Sequence, residues 1–193
     1  MFRILLIRPG TTDYDQQRRI QGTLDIPLSE DGRREVDATI DKLRDQSLDA
    51  IYTCPSQSAR QTAEALGTAL GIKPKTLDKL QNLNQGLWQG MLVEDVKKKQ
   101  PKVYRQWQEQ PETVCPPEGE TLGTAKERVQ AVVARLLKKH KSEGVVAVVV
   151  PEPMASVILN VLRHDELGDL WQRKQEAALW DVLDVVPETV GVE

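Results

Sequence analysis

The sequence predicts an α/β protein, a sandwich around a mostly parallel sheet. Three short runs, Arg3–Ile7, Ala50–Thr53 and Val145–Val150, are apolar and rich in β-branched residues. That composition suits central strands covered on both faces. Segments of helical period lie between them, and strands alternating with helices favour parallel pairing through crossover connections.

The elements follow in order. The first strand runs into Arg8-Pro9-Gly10 and a polar loop. Ser29 can cap a helix whose first turn holds Glu30 and Asp31 and whose inner face is Val36, Ile40 and Leu43. Ala50–Thr53 ends at Cys54, and Ala59, Ala63, Leu66 and Leu70 mark the next helix. Residues 77–117, rich in Gln, Lys and Pro, read as an insertion or lid. Thr124 and Glu127 suggest a capping box for a third helix that turns Val129, Val132, Val133, Leu136 and Leu137 inward. A fourth helix follows Pro153 through Val157, Leu159 and Leu162, and the alternating run Leu179–Val186 reads as an edge strand. In such sheets ligands bind beyond the carboxyl ends of the strands. Arg8 and Glu152 both lie just past strand ends and are therefore placed to share one pocket.

Composition narrows the function. A chain of 193 residues fits a single domain spanning 1–193. The net charge of -3 argues against a dedicated nucleic-acid binder. The basic run at 97–102 reads as a solvated face. Trp88, Trp107, Trp171 and Trp180 read as packing residues. Two cysteines, Cys54 and Cys115, are too few for a disulfide framework and lack zinc spacing. The apolar start is too short for a signal peptide. The apolar stretch 144–162 approaches a membrane span, but Glu152 and two prolines interrupt it, so a buried strand followed by a helix is expected. A cytoplasmic protein with no membrane association is the expectation.

Four blocks carry a resemblance: Arg8 to Gly32 with RIQGTLDIPLSEDG, ARQTAEALG at 59–67, LNQGLWQG at 83–90 and PEGETLGTAKERV at 117–129. In this order they resemble the histidine phosphatase superfamily, also called phosphoglycerate mutase-like, along nearly the whole chain. The resemblance implies a three-layer α/β/α sandwich. It also implies metal-independent chemistry in which a histidine accepts the phosphoryl group, two arginines and a second histidine cradle it, and a carboxylate acts as general acid. Cationic groups there would stabilise the equatorial oxygens of the transferring group.

Matched to that pattern, Arg8 and Gly10 are retained. Pro9 stands at the nucleophile's place, Ser58 at the second arginine's, Asn82 at the acid's and Glu152 at the second histidine's. Asp15 stands where a phosphate-binding asparagine is common, and Arg60 falls in a neighbouring column. The expectation is a degenerate phosphate pocket of Arg8, Pro9, Gly10, Asp15, Ser58, Asn82 and Glu152, with no catalytic residue, cofactor or metal. Arg8 would then be neutralised by Glu152 or Asp15. A cation held by Asp15 and Glu152 is the less simple fate for these carboxylates. His140 and His164 read as helix-end residues, and Cys54 lacks the positive neighbour that a reactive thiolate needs. The resulting expectation is a pseudoenzyme that binds a protein partner, an active relative or a second copy. A weak or altered phosphatase and a non-catalytic small-molecule sensor are the alternatives.

Overall fold

The computed structural model describes residues 1–141, 143–171 and 180–186. Within them β1 (Phe2–Ile7), β2 (Ala50–Thr53), β3 (Lys75–Thr76), β4 (Gly144–Val149) and β5 (Trp180–Val185) form one sheet in the order β3-β2-β4-β1-β5. All neighbours pair in parallel except β5, which runs antiparallel to β1 with Trp180 opposite Ile7. The expected edge strand is therefore present over Trp180–Val185, and Leu179 lies outside the described residues. Among the described residues there are seven helices: α1 (Asp13–Gln16), α2 (Glu30–Leu43), α3 (Gln57–Leu70), α4 (Val93–Lys99), α5 (Pro101–Glu109), α6 (Leu122–Lys139) and α7 (Met154–Arg163). α2 packs with α3 and α6 with α7. Right-handed crossovers place the two pairs on opposite faces of the sheet.

The strands are apolar because both faces are covered. Every residue of β1 except Arg3 is buried, as are the last four of β4. The apolar stretch 144–162 divides into β4 and α7. No helix among the described residues is long and apolar enough to cross a membrane. Lys97, Lys98 and Lys99 are exposed in the last turn of α4, where cations complement the helix dipole.

One cap differs from expectation. Thr121, not Thr124, caps α6: its Oγ1 accepts from Thr124 N at 3.2 Å. The helix starts early because its first turn buries Leu122 and Ala125, so the apolar face extends a turn beyond Val129. The Ser29 cap is as expected. Its Oγ accepts from Gly32 N and donates to Thr11 O, both at 3.0 Å. The loop after β1 thus lies directly on the start of α2, and Thr11 N donates to Glu35 at 2.9 Å. The approach is close enough that a β-carbon on Gly32 would overlap the Thr11 carbonyl oxygen, and one on Gly10 the Gly32 carbonyl oxygen.

His140 is the C-cap of α6. Its ring stacks on Phe2 at 5.6 Å, and its Nε2 shares a 2.9 Å hydrogen bond with the Tyr52 hydroxyl. Burial, then Lys139, pushes its pKa below the usual histidine value, against the pull of Asp49. Its packing on Phe2 and Tyr52 thus disfavours the charged form that would complement the helix dipole. His164 ends α7 in the left-handed conformation, φ 60°.

Two outcomes follow. Gly32→Ala should lower stability by about 1–3 kcal/mol, as overpacking does, read as a lower denaturant midpoint at unchanged slope. Because the folded state holds His140 below its unfolded pKa, the unfolded chain binds more protons. The His140 contribution is complete above the unfolded value of about 6.5 and fades as pH falls through the lower folded value. His140→Gln should flatten that part of the stability-versus-pH curve; equal slopes for both proteins would contradict it.

Candidate functional site

The connections that leave the carboxyl ends of β1, β2 and β4 converge at one edge of the sheet. Arg8 follows β1, Ser58 sits in the first turn of α3 after β2, and Glu152 follows β4. β5 runs the other way, so its beginning comes to the same edge and delivers Asp181.

Arg8 is the centre of what forms there. Its side chain is 8% exposed. Nε donates to Glu152 Oε1 and Nη1 to Asp181 Oδ2, both at 2.7 Å. Burial disfavours the charged guanidinium most. Attraction to Glu152 and the hydrogen bonds to Asp181 and Glu152 outweigh it, and the pKa stands above the ordinary arginine value. The network continues on both sides. Glu152 Oε2 accepts from Ser156 Oγ at 2.8 Å and Ser156 N at 3.1 Å, in the first turn of α7. Arg163 Nη2 donates to Asp181 Oδ1 at 2.9 Å. Burial makes this arrangement sensitive: removing one partner of a buried pair typically costs about 3–5 kcal/mol.

Asp15 takes no part in neutralising Arg8, contrary to one of the two expected pairings. Its Oδ2 accepts from Thr12 N at 2.7 Å and Thr12 Oγ1 at 2.8 Å, closing the capping box of α1. The backbone donor three residues away reaches it within its own turn. Asp15 and Glu152 each have a carboxylate oxygen committed to protein donors. Among the described residues no group of three or more metal-ligating side chains occurs.

Asn82 is buried and uses its amide completely. Nδ2 donates to Gly22 O and Glu152 O, both at 3.0 Å, while Oδ1 accepts from Leu83 N at 2.9 Å and Met154 N at 3.3 Å. It ties the first loop to the turn holding Glu152.

Arg8, Pro9, Gly10, Asp15, Gln21, Ser58, Pro151 and Glu152 line a small cavity in which the centre of a water-sized sphere can sweep about 20 Å³. No histidine is among them. His164 lies at the far end of α7, about 15 Å along its axis, and His140 packs against Phe2 at the amino end of β1. Arg60 points away, 3.6 Å from Asp25 and half-exposed. Burial pushes the Cys54 thiol up, despite the Ser56 hydrogen bond and Arg60, which is the opposite of activation.

Sequence reasoning missed Asp181, Gln21, Ser156 and Arg163. A signal for Asp181 existed. A guanidinium carries five N–H donors, so one carboxylate leaves a buried arginine under-satisfied and a second acceptor must be near.

The family model described as histidine phosphatase superfamily (branch 1) matches residues 4–192. Phosphoserine phosphatase 1 of Hydrogenobacter thermophilus is 30% identical over 183 residues, covering 95% of this chain and 86% of the relative. Phosphoglycerate mutase-like protein 4 of Arabidopsis thaliana is 28% identical over 148 residues, covering 75% of this chain, which spans 64% of that protein's length. The solved structure of a mycobacterial glucosyl-3-phosphoglycerate phosphatase superposes with a TM-score of 0.78 at 26% identity, covering 88% of this chain and 82% of the other. A match running from the first strand to the end of the chain, together with the parallel sheet and its edge site, leaves one assignment: the chain belongs to branch 1 of the histidine phosphatase superfamily.

Proposed function

We propose that this chain is a non-catalytic member of the superfamily, a pseudoenzyme that uses the scaffold as a binding or regulatory module. The observation that carries the reading is the state of Arg8, locked by Glu152 and Asp181 beside a proline. Pro9 offers neither a nucleophilic side chain nor a backbone N–H. In another hydrolase the loss of the nucleophile alone costs about 10⁶ in turnover. A phosphate dianion entering this cavity would meet the carboxylates of Glu152 and Asp15 and would have to displace Arg8's existing partners. Each charge-assisted hydrogen bond it failed to regain would forfeit about 1.5–3 kcal/mol. Ser58 and Asn82 add no charge where the family pattern places an arginine and an acid. In this reading residues 77–117 form a cover over the same edge within a single domain, and the ligand is a protein: an active relative, a second copy or another partner. Metal and cofactor play no part.

A second reading has its own support. The relatives are named as phosphatases or as mutase-like, which speaks for a weak or altered phosphatase acting on a small phosphate ester more directly than for inactivity. It requires a substitute nucleophile, and the cavity lining offers only the Ser58 hydroxyl and two carboxylates.

One experiment separates the two. With an aryl phosphate, with and without magnesium, the purified chain should release phosphate no faster than its folded Arg8→Ala variant. Turnover that Arg8→Ala abolishes would establish the second reading. Phosphate and vanadate should leave the melting temperature unchanged, because no cationic group stands free of carboxylate partners in the cavity. The combined change Pro9→His, Ser58→Arg, Asn82→Glu and Glu152→His should raise turnover above the parent if the scaffold still positions the chemistry.

A further inference from the structure

The carboxylate of Asp181 is held in a way that Glu152 is not. Arg8 Nη1 donates to its Oδ2 at 2.7 Å and Arg163 Nη2 to its Oδ1 at 2.9 Å. One guanidinium follows β1 and the other closes α7. A carboxylate bridged between two guanidinia is the arrangement that an anion site gives its ligand. Here the ligand belongs to the chain itself. Neither Arg163 nor Asp181 is among the residues that line the small cavity, so the bridge lies beside it.

The two counter-ions of Arg8 differ in how firmly they are fixed. Glu152 is 14% exposed; Ser156 holds its second oxygen twice and Asn82 holds its carbonyl. Asp181 is 25% exposed and is the second residue of the outermost strand. Among the described residues both of its side-chain hydrogen bonds come from arginine. Arg163 is 41% exposed, which opens the bridge to solvent on that side. Charge defines what else fits. Arg8 and Arg163 each bring one positive charge and Glu152 cancels one, so the pair without Asp181 carries a single positive charge. Asp165 lies 3.8 Å from Arg163 Nε with both groups exposed, and water screens that contact. A carboxylate monoanion balances the pair, whereas a phosphate dianion exceeds it.

We propose that Arg8 and Arg163 form a carboxylate-binding clamp that Asp181 keeps shut as an internal ligand. The contact is autoinhibitory. A tethered group competes at an effective concentration on the order of mM, so a dilute carboxylate in solution does not displace it. The proposal rests on the functional reading above in one respect, that Arg8 holds no phosphate in the resting chain.

Removing the internal ligand and supplying it from solution tests the clamp. Asp181→Ala deletes a carboxylate and leaves space for formate. In chloride it should lower the Tm of the whole chain by about 4–8 °C, the scale for one partner of a half-buried pair in a chain of this size. Formate at the same ionic strength should restore about half of that loss or more, with a saturating dose dependence. The parent should respond to formate and chloride alike, because Asp181 fills the clamp. So should Asp181→Asn, whose amide fills the same space. Adding Arg163→Gln to Asp181→Ala should weaken formate about tenfold or more, the loss of a charge-assisted hydrogen bond. Formate no better than chloride on Asp181→Ala, or a rescue indifferent to Arg163→Gln, would overturn the clamp. If Asp181→Ala is unfolded in chloride, return of the native circular dichroism in formate alone supports the clamp, and return in neither salt overturns it. Phosphate release by the parent would sink the pseudoenzyme reading and leave the rescue untouched, so the two failures are distinct.

Discussion

A guanidinium buried to 8% exposure at the end of a central strand needs negative charge and acceptors together, and the arrangement around Arg8 follows from meeting that need. Glu152 comes from the exit of β4 and Asp181 from the start of β5, so a single side chain ties together the ends of three neighbouring strands. The two carboxylates are themselves held, Glu152 by Ser156 at the start of α7 and Asp181 by Arg163 at its end. The Glu152 carbonyl accepts from Asn82, whose amide also reaches Gly22 in the first loop. Loosening the Arg8 pairs would therefore disturb the first loop, the turn at Glu152 and α7 at once.

The same arrangement governs what the pocket can hold. Superfamily membership is a statement about scaffold, and a scaffold hosts many activities; the site decides. Here the cation at the sheet edge is already matched by internal carboxylates. Pro9, Ser58, Asn82 and Glu152 are coherent as a set. Each fits a cross-linked interior: Glu152 as counter-ion, Asn82 as a four-fold hydrogen-bonding amide, Ser58 as a small buried residue on a small cavity, and Pro9 as a buried loop residue. The Arg8 network is closed on both sides, by Ser156 on Glu152 and by Arg163 on Asp181.

Local chemistry in the sequence accounted for much of the fold. The β-branched runs became β1, β2 and β4 because burial on both faces selects that composition, and the Ser29 cap formed because its hydroxyl meets a backbone donor three residues on. The α6 cap was misjudged by one turn because Thr121 and Thr124 both head cap-like patterns. Only packing of Leu122 against the core distinguishes them. Asp15 lines the cavity as expected but does not pair with Arg8, because residue type alone does not say whether a carboxylate spends its oxygens on a distant guanidinium or on a backbone amide in its own turn.

By itself the sequence determined that the sheet is mainly parallel, that Arg8 and Glu152 leave strands at the same edge, and which residue types stand at each site position. These are local properties, set by side-chain chemistry and chain direction. Tertiary structure alone decided that Asp181 joins Arg8, because 173 residues separate them and only the antiparallel return of β5 brings its first residues to that edge. It alone decided that Asn82 satisfies all its hydrogen bonds with protein groups while Ser58 Oγ and Gln21 Nε2 meet no protein partner. Whether a buried polar group is satisfied depends on distances to atoms remote in the chain, and those exist only once the elements have packed.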